Sequence, residues 1–402
     1  MGPFEGIRVL ELGLYYATPW CTRIMASLGA EVIRLESSTA FDMARAMGVD
    51  IGSQYADFGA MKKMVTLNMR HPKSREIARE LVKKSDIFAT NLGKEVITEF
   101  GLDYTPLREI KPDIIMMWQS GFGLEGPYAN YKAFGGMLQA ITGLCEVSGF
   151  PEGAPGTAGT AFCDYHSSMY AVMLLAAALE HRRQTGEGMF IEVPLYETGA
   201  LCIAPSLMDY VVNGRVLSRQ GNRHHFASPH GIYRCQGEDR WCAIAVFNEE
   251  QWEGFCQTLG HPGWTGEARF VSLPSRRANA DEMDRLIDEW TSARTAEEVM
   301  ARMQQAGIPA SIVAKGQDLS EDIHLKERDF YKETEYHTFP FTKDAAVKGT
   351  TVAMAVPMRF SETPCQFGPT HRIGEDNDYV YGVVLGMSRE EMDRLTEEGV
   401  LV

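Results

Sequence analysis

The sequence predicts an α/β protein: a mainly parallel sheet wrapped by helices, followed by a smaller α+β domain. Three observations carry that expectation. Short apolar strands alternate with helical stretches from the N-terminus to about Asn213, and alternation of this kind builds parallel sheets. The pattern then changes to closely spaced strands and helices of a different rhythm. Finally, 402 residues exceed the size at which one hydrophobic core keeps growing, so two domains are expected.

Residues 7–12 (IRVLEL) form a first apolar strand, residues 19–28 a helix, and residues 30–35 (AEVIRL) the next strand, which is a βαβ unit. A helix over 74–83, a strand at 87–90, a short helix from Glu95 and a strand at 113–118 continue the alternation. Ligand-binding residues then belong on loops at the carboxyl ends of the strands, here 13–17, 36–38, 91–93 and 119–123. A long helix runs from Ser167 through Met169, Val172, Leu175 and Leu179 to Arg182 and Arg183. Gly186 and Gly188 stop it before a strand at 189–193. Beyond Asn213 come strands from Gly231 and at 241–246, helices near 249–259, 280–291 and 296–306, and a strand at 310–314. From about Asp329 the chain is extended and Pro- and Gly-interrupted, and it ends in a charged helix over 388–398.

The 39 basic and 54 acidic residues give a net charge of −15, which argues against nucleic-acid or anionic-membrane binding. A phosphate-bearing ligand would have to be held by a few local cations. The 8 cysteines include no Cys-x-x-Cys pair and read as reduced thiols. There is neither a signal-peptide pattern nor a membrane-spanning apolar run, so a cytoplasmic protein is expected.

No Gly-x-Gly-x-x-Gly follows the first strand, and no Gly-Lys-Ser/Thr box is present, so nucleotide fingerprints are missing. Gly121 and Gly123, with Gly126-Pro127, fit tight turns that let a substrate approach the backbone, and equally fit loop punctuation. His224 and His225 have no zinc-spaced partner, so no metal is expected. Arg70 and Lys132 are isolated cations in loop-like contexts, surface residues unless a ligand claims them. Asp164 stands at the mouth of the long helix, where backbone N–H groups and the macrodipole favour an anion. Two roles fit it, a helix cap and a nucleophile, and position alone favours the cap. His166 with Ser167 or Ser168 is too local on one helix to build a catalytic triad.

Taken together, residues 4–12 (FEGIRVLEL), 28–36 (LGAEVIRLE), Thr90-Asn91-Leu92, Gly121-Phe122-Gly123 with Gly126-Pro127, the Asp164 segment and residues 185–188 (TGEG) resemble the class III CoA-transferase family, end to end. The resemblance implies a Rossmann-like large domain formed by both termini (residues 1–213 and 326–402), an inserted small domain (214–325) and an interlocked dimer. It makes Asp164 the covalent nucleophile and coenzyme A, as acyl-CoA, a substrate beside a free carboxylic acid. It also carries CoA contacts onto Tyr15, Tyr16, Ala17, Leu67, Arg70, Asn91, Leu92 and Lys132. Phe134 becomes a substrate-pocket residue, and Gly121, Gly123, His230 and Gly231 become pocket or oxyanion positions. Ser37 and Glu99 stand where relatives often carry basic residues, which leaves Arg70, Lys132 and possible help from Arg34 or Arg45 for the CoA phosphates.

The rival within the same fold is an α-methylacyl-CoA racemase, which pairs the aspartate with a histidine. Phe134 stands at that histidine's position and has no proton to exchange, so transfer is the expected reaction. A non-catalytic subunit of a heteromeric transferase is the other alternative. Tyr15, Tyr16, Trp20, Phe134 and Met137 would then crowd the acyl site, pointing to an aryl-substituted dicarboxylate such as benzylsuccinate, with succinyl-CoA as donor; core packing explains these residues equally well.

Overall fold

A computed structural model describes residues 2–46, 57–159, 161–337 and 348–402. The chain divides into two compact units: residues 1–145, 157–215 and 324–402 form the larger, and residues 146–156 and 216–323 the smaller.

The larger unit is built on β1 (Arg8–Leu12), β2 (Glu31–Glu36), β3 (Lys63–Thr66), β4 (Ile87–Thr90), β5 (Ile115–Trp118) and β6 (Phe190–Glu192). They form one parallel sheet in the order β3-β2-β1-β4-β5-β6, which is the Rossmann-like order. Successive strand residues are buried on opposite faces. Leu10, Ile33, Val65, Phe88 and Met116 enter one core, while Val9, Val32, Ile87, Ile115 and Met117 enter the other. Burial on both faces explains why these strands read as continuous apolar runs instead of alternating ones.

Strand β3 has no such run, and the sequence reading passed over it. Lys62, just before it, is fully buried, with Nζ 2.8 Å from Glu11 Oε2. The C-terminal segment returns to cover this edge. Asp376 accepts from the Met64 amide at 2.8 Å, Asn377 from the Thr66 amide at 2.9 Å, and Tyr381 donates to the Thr66 carbonyl at 2.7 Å. The large domain is therefore closed by both ends of the chain, and its edge strand is not left open. What the sequence showed only as extended chain contains the antiparallel pair β10 (Tyr331–His337) and β11 (Lys348–Met354), and a π-helix over Asp378–Val384.

In the smaller unit, β7 (His230–Arg234), β8 (Trp241–Ala245) and β9 (Ala310–Ile312) make an antiparallel sheet in the order β7-β8-β9. The helices Glu249–Leu259, Ala280–Thr291 and Ala296–Gln305 pack on it through Phe255, Ile287, Val299 and Met303. All eight cysteines are free thiols. Among the described residues no helix is long and apolar enough to cross a membrane.

Candidate active site

The strand order reverses between β1 and β4, so the loops after these strands flank the crevice where open α/β sheets bind ligands. The loop after β1 is held from two sides. Asn91 accepts from the Leu14 amide at 2.8 Å and donates to the Leu14 carbonyl at 2.7 Å. Asp42 accepts from the Tyr15 amide at 3.0 Å. Between these clamps Tyr15 adopts φ 59°, a left-handed conformation that costs a side-chain-bearing residue about 1 kcal/mol or more. The helix Ala17–Ser27 starts immediately afterwards.

Behind this loop lies a buried charge cluster. Arg34 bonds Glu11 at 2.5 Å and also Asp42, and Arg45 bonds Glu36 at 2.8 Å. Arg34 is 0% exposed and Arg45 is buried as well. This corrects the expectation that either guanidinium helps to hold CoA phosphates: both are committed to carboxylates inside the protein.

Asp164 lies in the first turn of the helix Phe162–Thr185. The helix begins earlier than its apolar periodicity indicated, with Ala161 at the N-cap, so Asp164 is inside the first turn and is not the cap. The residue is 9% exposed, and among the described residues its buried Oδ2 has no hydrogen-bond partner. Burial pushes its carboxyl up to about 6, opposed only by a hydrogen bond from its own amide. Among the described residues no cation neutralises it. A carboxylate stripped of water and left with an unpaired oxygen is poised to react, because little hydration must be removed before it attacks.

The turn itself is firmly held. The Asp164 carbonyl accepts from Ser167 Oγ at 3.0 Å, and Ser168 Oγ lies 2.7 Å from both that carbonyl and the Ala17 carbonyl. Gln119, the first residue after β5, donates to Ser167 Oγ at 3.1 Å and accepts from Thr18 Oγ1 at 3.1 Å. Gln139 secures the chain just before the helix, accepting from the Ala158 amide at 2.8 Å. Sequence reasoning missed Gln119 and Gln139 as site supports; the one available signal was Gln119's place at the carboxyl end of a strand. His166 turns elsewhere, with a ring nitrogen 3.6 Å from Cys202 Sγ.

Asn91, Leu92, Gly121 and Lys132 gather around one cleft of about 240 Å³, together with Lys94 and Tyr131. Gly121 is required there, since a Cβ would come within 2.7 Å of the Ala133 Cβ. Asn91's amide group is committed to Leu14, so its part is to hold the loop. Leu67 is core, and Arg70 is exposed outside this cleft. Ala17 is 1% exposed.

The expected oxyanion donors fare unequally. The Gly123 N–H already donates to Ser120 Oγ at 3.0 Å, and the next amide, Leu124, donates to Glu192, so Gly123 is not a free donor. His230 and Gly231 lie in β7 of the smaller unit, opposite Ala245 and Ile244.

The aromatic residues divide into two groups. Tyr15 and Phe134 meet edge-on at 5.6 Å, with Phe134 60% exposed. Tyr16 and Trp20 instead pack with Phe58 and Tyr165 at ring distances of 5.0 and 5.3 Å, and Trp20 is core. Among the described residues no group of three or more His, Cys, Asp or Glu side chains is placed to hold a metal ion.

A model of the family described as CoA-transferase family III matches residues 4–377. The chain is 28% identical over 409 residues to the succinyl-CoA–L-malate CoA-transferase beta subunit of Chloroflexus aurantiacus, covering 99% of this chain and 98% of that one. It is 27% identical over 385 residues to the succinate–glutarate CoA-transferase of Agrobacterium fabrum, covering 93% of each. Among solved structures, a CAIB/BAIF family protein from Brucella suis matches with a TM-score of 0.86 and 26% identity, over 95% of this chain and 99% of that one.

Proposed function

The chain belongs to CoA-transferase family III, and on that premise we propose that it moves coenzyme A between carboxylic acids with Asp164 as the covalent carrier. The observation that supports this most is the Asp164 carboxylate itself: buried, among the described residues unpaired at Oδ2 and uncompensated by any cation, and fixed through Gln119 to the strand end that leads into the Gly121 cleft.

The steps balance without an outside energy source. The Asp164 carboxylate attacks the acyl-CoA thioester, forming an acyl-aspartyl anhydride and releasing CoA thiolate. The thiolate attacks the aspartyl carbonyl, leaving an aspartyl-CoA thioester and the donor's free carboxylate. The acceptor's carboxylate attacks that thioester, giving a second anhydride and thiolate again. Thiolate attack on the acceptor's acyl carbon then yields the new acyl-CoA and restores Asp164. Lys132 and Lys94 supply positive charge at the CoA cleft.

The donor we propose is succinyl-CoA and the acceptor an aryl-substituted dicarboxylate such as benzylsuccinate. The Tyr15–Phe134 pair, with Phe134 exposed, supports a bulky acid, and the relatives' dicarboxylates support the acid class. Phe134 supports transfer over racemisation, since a benzyl side chain exchanges no proton. For assembly we propose an interlocked dimer or a heteromer with a related chain. The helix Ala204–Asn213 has no buried residue, and its Leu207, Met208, Val211 and Val212 are 54–69% exposed. So large an apolar surface is what a partner subunit covers.

The test is to incubate the protein with succinyl-CoA, trap with hydroxylamine or borohydride, and locate the modified residue by mass spectrometry. Modification is expected on Asp164. An unmodified Asp164 with full activity in Asp164→Ala would overturn the mechanism.

A further inference from the structure

The smaller unit contains a cavity of about 490 Å³ bordered by His224, His225, His230 and Arg277. Its hydrogen-bond pattern fixes two of the imidazoles. His224 Nδ1 accepts from the Phe226 amide at 3.1 Å, so the neutral ring carries its proton on Nε2. His230 Nδ1 lies 2.6 Å from the Asn222 carbonyl, so there the proton is on Nδ1. The two rings stack at 5.0 Å, and Phe247 meets each of them edge-on, at 5.6 and 6.2 Å. A rigid pair of imidazoles is thereby held without a carboxylate: among the described residues none of these three histidines has an acidic partner.

Charge in the cavity is also unbalanced. Asp281 and Glu282 border it, yet Asp281 is ion-paired with Arg223 and Glu282 with Arg285. Arg276 is buried and committed, donating to Glu249 at 2.7 Å and to the Ser228 carbonyl at 3.0 Å. Its neighbour Arg277 is exposed and, among the described residues, has no carboxylate within ion-pair reach. The pKa of His224 is lowered, by desolvation and then by the neighbouring His230, His225 and Arg277.

We propose that this cavity is an oxyanion-binding site, in which Arg277 supplies the charge and His224 Nε2–H a fixed donor. The ligand class is a carboxylate or a phosphate. Both groups occur among the substrates of the transferase reading above, on which this choice of ligand class rests.

Isothermal titration of the full chain with inorganic phosphate, succinate and adenosine 3′,5′-bisphosphate tests the site without any acyl-CoA. The result therefore does not depend on whether Asp164 becomes acylated. Two variants, Arg277→Gln and His224→Phe, are each checked for an unchanged melting temperature; the second keeps an aromatic ring against His230. The expected result is millimolar or tighter binding of at least one anion, weakened about tenfold in both variants, equivalent to about 1.4 kcal/mol. Binding confined to succinate assigns the acid's carboxylate, and binding confined to the bisphosphate or phosphate assigns the CoA phosphates. Binding of all three assigns a general oxyanion site. No binding of any anion at millimolar concentration, or equal binding in both variants, overturns the proposal.

Discussion

Gln119 Nε2 donates to Ser167 Oγ at 3.1 Å, and through this bond the carboxyl end of β5 holds the turn that carries Asp164. Gln119 is 1% exposed, and its other end accepts from the equally buried Thr18, so the amide ties sheet, first helix and the helix of Asp164 together. Gln119→Leu fills a similar volume but strands the buried Thr18 hydroxyl and takes from Ser167 one of its two bonds. A stability loss of roughly 1–3 kcal/mol is expected from thermal or urea unfolding. On the proposed mechanism, displacing Asp164 should also lower kcat by about tenfold or more, while the KM for acyl-CoA changes little.

The raised carboxyl of Asp164 predicts two pH effects of known sign. In the free protein its value is about 6 against 3.8 for an unperturbed aspartate. Attack requires the ionised form, so kcat/KM should fall tenfold per unit below about pH 6 and level off above about pH 7. For stability, a raised folded-state value means that the protonated group's contribution is complete below pH 3.8 and is lost as pH rises through about 6. A shift of about two units corresponds to roughly 3 kcal/mol. Asp164→Asn should therefore be more stable than the parent at pH 7, with the difference vanishing near pH 4. Asp57, also raised to about 6 by burial, titrates in the same window, so the difference between parent and variant is the quantity to measure.

Phe134 presents its ring beside Tyr15 and carries no titratable group. Phe134→Ala removes apolar wall area and should reduce the preference for an aryl dicarboxylate over a short acid such as succinate by roughly tenfold in kcat/KM, the range typical of pocket size discrimination. Its overall fold should hold, because the ring is already 60% exposed. Competition assays with the two acids measure the ratio; an unchanged ratio removes Phe134 from the acid pocket.

Much of the sheet was legible because β1, β2, β4 and β5 are buried on both faces and so appear as uninterrupted apolar runs. Strand β3 escaped because Lys62 and Lys63 introduce it; only the fold supplies the buried Glu11 that makes Lys62 tolerable there. The helix of Asp164 was visible from its apolar period, but its true start was not, since Phe162, Cys163 and Tyr165 give no capping signal. Spacing placed Asp164 near a helix end. That Oδ2 would be left without a partner depends on what surrounds it in space, which one-dimensional pattern does not carry. The same holds for Arg34, in sequence a strand cation that could help to hold CoA phosphates and in the structure a fully buried one.

Arg34 and Lys132 provide a contrast that separates structural from ligand-binding cations. Arg34 is 0% exposed and bridges Glu11 to Asp42, the residue that clamps the Tyr15 amide. Arg34→Met leaves Asp42 buried without its cation and Glu11 with Lys62 alone, for an expected loss of roughly 3–5 kcal/mol. Wherever this variant remains folded, its KM for acyl-CoA should stay near the parent's, because the guanidinium has no route to a ligand. Lys132 is exposed at the cleft shared with Leu92 and Gly121, so Lys132→Ala should leave the melting temperature unchanged. Its KM for acyl-CoA should instead rise several-fold, with a weaker dependence on salt than the parent shows, because one charge-assisted contact to a phosphate is lost. A raised KM in Arg34→Met with normal stability would return that arginine to the CoA site. A salt-independent, unchanged KM in Lys132→Ala would remove the lysine from it.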